Sequence, residues 1–288
     1  MNNPETVYES APFTVTSRKD IEFLKDIARQ TRIEVLKMLT EAGSGHIGGC
    51  LSCVEIIISI FLLKIKLDPK DACWLIRDRF ILSKGHAAPT LYSILARRGC
   101  IDCDLLMTLR KHDSPLQGHP SARYFPAVEV STGSLGQGLS ISNGIAMGLK
   151  LDSLPSRVYC LLGDGELQEG QVWEAAMTAA HYGLDNLCAI VDYNGLQIDG
   201  AVDDVMKVTP IEDKWRAFGW YVQSIDGHDF EQIIMAFDEA ERVKNKPSLI
   251  VANTIKGRGV SFYENRAEYH GVSPTEEELN RAIKELMA

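Results

Sequence analysis

The sequence lacks any apolar stretch long enough to span a bilayer. The longest candidate, residues 54–63, is interrupted by Glu55 and ends before Lys64, whereas a membrane helix needs about 20 apolar residues. The first nine residues are polar and acidic, unlike the basic and apolar start of a signal peptide. We therefore expect a protein without membrane segments that resides in the cytoplasm.

The sequence also lacks an excess of positive charge, internal repeats and low-complexity linkers. Its net charge is −9, which argues against a surface for nucleic acid or anionic membranes but leaves room for a local basic pocket. The 288 residues are 45% hydrophobic and 24% charged. This length and composition suit one large globular domain with a substantial core.

The seven cysteines are an odd number, so they do not suggest a full set of disulfides. Two pairs have C-x-x-C spacing, Cys50 with Cys53 and Cys100 with Cys103. Such pairs are typical of zinc ribbons. These pairs lie much further apart than a ribbon requires, and both adjoin apolar helical patterns, which favours free thiols in a reducing compartment.

Short apolar runs alternate with helical patterns along the chain. Residues 1–16 are expected to form an N-terminal arm, and residues 17–288 a single domain. Ser17 and Asp20 form a helix-start signal, and Gly43 ends that helix. The predicted strands are 79–82, 128–131, 158–162, 187–191, 221–225 and 248–253; the other helical patterns are 52–65, 87–98, 139–150, 172–182, 229–243 and 275–288.

This alternation predicts an α/β fold, a parallel sheet with helices on both faces. Ligands of such sheets bind beyond the carboxyl ends of the strands. Two long connections, 195–215 and 254–273, are expected to be functional loops. Lys256 and Arg258 in the second of them either contact a phosphate or belong to a solvated loop.

The sequence Gly163-Asp164-Gly165 follows the predicted strand 158–162 and precedes a helix. A glycine turn between a strand and a helix places backbone N–H groups against a phosphate. Because a phosphate alone would repel Asp164, the carboxylate implies a bridging cation. Mg²⁺ fits, since it combines a few protein oxygens with phosphate and water.

The next predicted strand, 187–191, leads into Asn194. If the two strands are neighbours, Asn194 reaches the same edge of the sheet as Asp164. Its amide oxygen is then a second candidate metal ligand, and the backbone carbonyl of Leu196 a third.

Gly163-Asp164-Gly165 with Asn194 resembles the signature of thiamine diphosphate enzymes, and several further loops resemble those of transketolases. These loops run in order over nearly the whole chain. They are Gly45-His46-Ile47-Gly48-Gly49, Ser83-Lys84-Gly85-His86, Gly118-His119-Pro120, the loop 131–138, the segment 163–176, Lys256-Gly257-Arg258-Gly259 and His270-Gly271.

The resemblance implies a thiamine diphosphate-binding fold and a role for each matching residue. Asp164, Asn194 and the Leu196 carbonyl would hold Mg²⁺, and Glu169 would lie near the cofactor where two half-sites meet. His46, His119 and His270 would face the substrate and act with Glu169 in catalysis. The cofactor would be bound by His86, Gly133, Ser134, Leu135, Gly163, Gly165, Glu166, Asn194 and His270.

The remaining three histidines call for different interpretations. His112 and His181 lie in helical patterns and are expected to be structural. His228 follows Asp226-Gly227 and resembles a family turn, which we interpret as a feature of the fold that leaves a ligand role open.

Transketolases contain a second, pyrimidine-binding domain, whose glutamate activates the thiamine ring and which carries phosphate-binding arginines. Neither feature can be placed in these 288 residues. We therefore expect the N-terminal subunit of a split transketolase. A separate chain would supply the missing domains in an α₂β₂ assembly, with sugar phosphates as substrates.

Three alternatives stay open at this point. The partner-dependent enzyme could act on a modified sugar, such as a sulfo-sugar or a branched pentose phosphate. The chain could be the α subunit of a 2-oxo acid dehydrogenase or of another thiamine diphosphate enzyme, although the three histidine loops argue against this. It could also be a noncatalytic cofactor-binding subunit, although the intact site residues argue against that.

Overall fold

The computed structural model describes residues 14–288, so residues 1–13 of the predicted arm lie outside the described part. Helix α1, Arg18–Ala42, begins where the sequence predicts it. The backbone N–H and the hydroxyl of Ser17 both donate to the Asp20 carboxylate, at 2.8 and 3.0 Å. Gly43 ends the helix in a left-handed conformation with φ of 61°, which glycine adopts without steric cost.

Five parallel strands form the central sheet, in the order β1-β2-β3-β7-β6. They are β1 Arg79–Leu82, β2 Val158–Gly163, β3 Leu187–Tyr193, β6 Tyr221–Asp226 and β7 Ser248–Asn253. The two short strands β4 Leu196–Gln197 and β5 Gly200–Ala201 pair with each other outside it. The predicted α/β fold is confirmed.

The sheet is covered on both faces, as its apolar strands require. Alternate residues of one strand enter different cores: Tyr159 and Leu161 pack on one face, and Val158, Cys160 and Leu162 on the other. Helices α1, α3 Val54–Ile58, α4 Ala88–Arg97 and α9 Phe230–Arg242 cover the first face; α5 Gln137–Leu151, α6 Gly170–His181 and α8 Ile211–Ala217 cover the second.

The remaining helices are α2 Ile47–Ser52, α7 Val202–Val205 and α10 Glu276–Met287. The predicted helix 52–65 is in fact interrupted at Cys53, and its second half continues from α3 as a π-helical segment, Ser59–Lys64. No helix within residues 14–288 is both long and apolar enough to cross a membrane.

Two predictions about the chain path are wrong. Residues 128–131 form no strand. The Val128 N–H donates to the Phe125 carbonyl in a turn, and Glu129 forms ion pairs with Arg77 and Arg79. The connection 195–215 is not a plain loop, because it contains the β4–β5 hairpin, α7 and the start of α8.

The carboxyl ends of the five parallel strands all face one edge of the sheet. Ser83 follows β1, Asp164 follows β2, Asn194 follows β3, Gly227 follows β6 and Thr254 follows β7. This edge therefore carries the loops that contain His86, Asp164, Asn194, His228 and Lys256.

Candidate cofactor site

The turn after β2 holds a buried carboxylate between two backbone donors. Asp164 is 3% exposed. Its carboxylate accepts hydrogen bonds from the backbone N–H groups of Gly165, at 2.8 Å, and Gly195, at 2.5 Å. Burial, followed by the nearby Asp192, raises the pKa of Asp164 to about 6. A nearby cation would stabilise the ionised form of such a buried carboxylate.

Asn194 and Leu196 lie beside Asp164 because β2 and β3 are direct neighbours, with Gly163 opposite Asp192. The Asn194 amide oxygen accepts the Leu196 N–H at 3.2 Å. The backbone carbonyl of Leu196 faces the ammonium of Lys256, with Nζ and O 3.2 Å apart.

These residues fit a magnesium–diphosphate site in chemistry. Within the described residues, no three His, Cys, Asp or Glu side chains are grouped as metal ligands. The predicted set contains one carboxylate, one amide and one carbonyl, which suits Mg²⁺ because phosphate and water complete its shell. The raised pKa of Asp164 indicates that a cation bound at this position would stabilise its carboxylate.

Four histidines from separate loops lie close together, and two of them, His86 and His270, line the pocket. The ring centroid of His46 lies 5.2 Å from that of His86, 6.2 Å from His119 and 5.6 Å from His270. His86 and His270 lie 5.5 Å apart. Glycine permits this approach at one point, since a Cβ on Gly49 would lie 2.9 Å from the His86 Nε2.

The four imidazoles are held in the neutral form. Burial, with Arg110 next, lowers the pKa of His46 to about 4, and burial with Lys256 lowers that of His270 to about 3. Burial also lowers the pKa of His86 and of His119. Each neutral ring can donate one hydrogen bond and accept another. The Nδ1 of His46 is buried and has no partner within the described residues, so it is available to a ligand.

Most of the remaining predicted site residues border the same pocket. Gly163, Gly165, Leu135, Glu166 and Glu169 line it, and a Cβ on Gly133 would lie 3.3 Å from the His119 ring. Ser134 sits between Gly133 and Leu135 in the same loop.

The two glutamates of this region differ in their surroundings. Glu169 is exposed at the N-terminus of α6. Glu166 is buried, and its carboxylate accepts hydrogen bonds from the Ser83 hydroxyl and from the N–H groups of Gly136 and Gly163. Glu166 thus braces the backbone on both sides of the pocket, and its predicted contact with the cofactor stays a prediction.

Sequence reasoning missed a buried polar network below the pocket. Lys84 donates to Asp192 and to the Gly49 carbonyl, and Asp192 also accepts from the hydroxyls of Ser52 and Thr254. One signal was present, because Lys84 belongs to the recognised Ser83–His86 motif. Asp192 gave none beyond its place two residues before Asn194.

Lys256 and Arg258 have different surroundings in the structure. Lys256 is 1% exposed, lines the pocket and lies 2.9 Å from the His270 Nδ1. Arg258 is partly exposed and pairs with Glu264 instead.

Of the histidines expected to be structural, His181 ends α6 as predicted, and it is exposed. The prediction that His112 lies in a helix is wrong. The residue lies in an exposed turn, because Arg110 and Asp113 on either side have positive φ angles.

The fold and this pocket define a cofactor-binding α/β domain, and comparison with known proteins specifies it further. The family profile described as "Transketolase, thiamine diphosphate binding domain" matches residues 24–287. The chain therefore belongs to the transketolase family and comprises its thiamine diphosphate-binding domain.

Two relatives are similar over almost their full length. The 6-deoxy-6-sulfo-D-fructose transketolase subunit SqwG of Clostridium sp. (strain MSTE9) is 43% identical, over 93% of this chain and 96% of that protein. An apulose-4-phosphate transketolase subunit of Phocaeicola vulgatus is 39% identical, over 92% of this chain and 94% of that protein.

Solved transketolases match this chain over part of their length. The transketolase from Campylobacter jejuni superimposes with a TM-score of 0.88 at 33% identity, covering 92% of this chain and 43% of that one. The Leishmania mexicana enzyme gives a TM-score of 0.87 at 28% identity, with coverage of 92% and 41%. The chain thus spans about two fifths of these solved transketolases.

Proposed function

We propose that this chain is the N-terminal, diphosphate-binding subunit of a two-chain transketolase. The enzyme transfers a two-carbon ketol unit from a ketose phosphate to an aldose phosphate, with thiamine diphosphate and Mg²⁺. The observation that carries the proposal is the cluster of His46, His119 and His270, whose member His270 lines the same pocket as Asp164 and Asn194.

Asp164, Asn194 and the Leu196 carbonyl would hold Mg²⁺. His86 and the N–H of Gly165 would hold the diphosphate, while the loop of Gly133, Ser134 and Leu135 would contact the aminopyrimidine. Thiamine diphosphate, when bound, supplies the carbon nucleophile on which ketol transfer depends.

The substrate side of the pocket belongs to His46, His119 and His270. Neutral imidazoles bind sugar hydroxyls without repelling one another and can accept or return a proton. Glu169 is exposed at the border of this pocket, where it can reach a group contributed by another chain.

A second chain is part of the proposal. The two relatives described above are named as transketolase subunits, and they support a partner that supplies the pyrimidine-binding and C-terminal domains. An α₂β₂ assembly would place the sites where chains meet. The seven free cysteines support function in the reducing cytoplasm.

The names of the same relatives favour a second candidate for the substrate. One acts on a sulfo-sugar and the other on apulose 4-phosphate, by their names. A modified ketose is therefore proposed alongside ordinary pentose phosphates.

Two of the alternatives raised by the sequence are disfavoured. The family match and the converging histidine loops argue against a 2-oxo acid dehydrogenase chain. A noncatalytic role is disfavoured because Asp164, Asn194, Glu169 and the four histidines are all present.

The test is to purify the chain alone and together with a candidate partner that contains a pyrimidine-binding domain. Ketol transfer is then measured with xylulose 5-phosphate, with a sulfo-sugar ketose and with a branched pentose phosphate. We expect activity only from the two-chain sample. Strong transfer by the single chain would contradict partner dependence, and inactivity of both samples on every ketose would contradict the proposed function.

A further inference from the structure

Three buried side chains behind the pocket form a connected triad, Arg32, Glu55 and His228. The Arg32 guanidinium binds both oxygens of the Glu55 carboxylate, at 2.7 and 2.9 Å. The Glu55 Oε2 lies 3.0 Å from the His228 Nδ1. The three side chains are at most 8% exposed.

The hydrogen bonds of His228 fix its tautomer. A backbone N–H can only donate, and the N–H of Ile255 lies 2.8 Å from the His228 Nε2. Nε2 must therefore accept and carry no proton. In the neutral ring Nδ1 then carries the proton and donates to Glu55.

The triad forms hydrogen bonds with both ends of the segment 255–258, which carries Lys256. His228 holds the N–H of Ile255, and the Arg32 Nε donates to the Arg258 carbonyl at 2.8 Å. Between them, the Gly257 N–H donates to the Gly48 carbonyl at 3.1 Å.

The segment directs the Lys256 side chain past Gly48 and into the pocket lining. A Cβ on Gly48 would lie 2.8 Å from the Lys256 Cγ, so the lysine stem packs directly over this glycine. At the end of the stem, Nζ reaches the Leu196 carbonyl and His270. A shift of the segment backbone would therefore move the ammonium away from both.

The Glu55 carboxylate stays ionised despite its burial. Burial by itself raises the pKa of Glu55, but Arg32 and His228 outweigh it and lower the pKa to about 2. A buried ionic group adds little stability over an apolar replacement, and in some proteins it serves to fix a specific geometry. The geometry imposed here is that of the segment 255–258.

We infer that Arg32, Glu55 and His228 are positioning residues that fix the backbone of Ile255 to Arg258 and so hold Lys256 at the cofactor pocket. The inference rests on the proposed cofactor function. Its critical link is the hydrogen bond from Ile255 to the His228 Nε2, because the rest of the triad acts on residue 255 through that atom.

Two substitutions separate the hydrogen bonds of His228. In His228→Gln the side-chain amide reaches the Nε2 position and can still accept from Ile255. In His228→Asn the amide reaches only the Nδ1 position, so it can bind Glu55 but not Ile255. His112→Gln is the matched control, since His112 is exposed and does not line the pocket.

Two measurements on the full chain test the link. Hydrogen exchange of the peptide covering 254–259 is compared with that of β7, which reports overall stability. Calorimetry measures the affinity for thiamine diphosphate with Mg²⁺. In His228→Asn we expect exchange of 254–259 to rise relative to β7 and affinity to fall about tenfold, the size typical of a residue that supports a ligand.

His228→Gln and the control should keep near-native values in both measurements. The inference would be overturned if the Gln and Asn variants showed the same exchange and affinity, or if only the Gln variant lost affinity. If His228→Asn does not fold, Arg32→Lys replaces it, because lysine keeps the charge but cannot bridge Glu55 and the Arg258 carbonyl. An unchanged affinity in Arg32→Lys would then overturn the inference.

The wild-type chain distinguishes this failure from that of the proposed function. If the wild type, alone and with its partner, does not bind thiamine diphosphate with Mg²⁺, the proposed function fails. If it binds and the His228→Asn variant binds equally well, only the positioning role fails.

Discussion

Lys84 and Asp192 form an ion pair at the base of the pocket, with side chains that are 1% and 0% exposed. Burial alone would lower the pKa of Lys84, but Asp192 raises it overall, and Lys84 in turn outweighs burial and lowers the pKa of Asp192. The Nδ2 of Asn194 lies 3.4 Å from the same carboxylate. The pair thus orients the Asn194 amide from below.

Replacement of Lys84 with alanine should destabilise the chain strongly. The substitution leaves the Asp192 carboxylate buried without a cation, which costs about 3–5 kcal/mol in the free energy of unfolding. Urea denaturation measures this loss. Lys111→Ala removes the exposed pair with Glu41 and should cost at most about 1 kcal/mol; equal losses in the two variants would contradict the importance of burial.

Replacement of Asp164 with alanine should abolish Mg²⁺-dependent retention of thiamine diphosphate. The variant loses the carboxylate of the proposed metal site while the strands on either side are unchanged. Calorimetry with the cofactor and Mg²⁺ measures the loss, and circular dichroism checks the fold. A folded variant with native cofactor affinity would contradict the metal assignment.

The cofactor-free chain should lose stability as the pH falls from 7 to 5, partly because of His46. Its pKa is about 4 when folded and about 6.5 when unfolded, so the unfolded state binds more protons in this range and stability falls with pH. In His46→Gln the loss between pH 7 and pH 5 should be smaller by about 1 kcal/mol, after allowance for partial exposure. Urea denaturation at both pH values measures it, and identical losses would argue against a depressed pKa.

Gly48→Ala should weaken cofactor binding through Lys256. The added methyl group would meet the lysine stem at 2.8 Å, and the ammonium would have to leave its place. The control is Gly144→Ala in α5, where nothing lies within 4 Å of the new Cβ; it should stabilise the chain by about 1 kcal/mol. Native cofactor affinity in Gly48→Ala, measured by calorimetry, would contradict the expected displacement.

The sequence predicts the sheet well because its signals are local. Val158–Gly163 and Leu187–Tyr193 are short apolar runs of strand length, and both faces of such runs are buried. The meeting of Asp164 with Asn194 then follows, since neighbouring parallel strands end at one edge.

The parts that escaped prediction depend on partners distant in the sequence. Residues 128–131 have a strand-like pattern, yet Glu129 pairs with Arg77 and the segment joins neither of the two sheets. Arg32 precedes the carbonyl it binds, that of Arg258, by 226 residues. No spacing in the sequence reveals such a contact, because only the folded topology brings the two residues together.

The distribution of the cysteines makes the chain suited to selective labelling. Cys50 and Cys53 are fully buried beside the histidine loops, and burial raises the pKa of the Cys50 thiol to about 12. Cys73 and Cys103 are exposed and lie outside the pocket lining. A maleimide dye at neutral pH would attach to these two thiols in preference to the buried ones, giving a fluorescent reporter of assembly with the proposed second chain that leaves the pocket untouched.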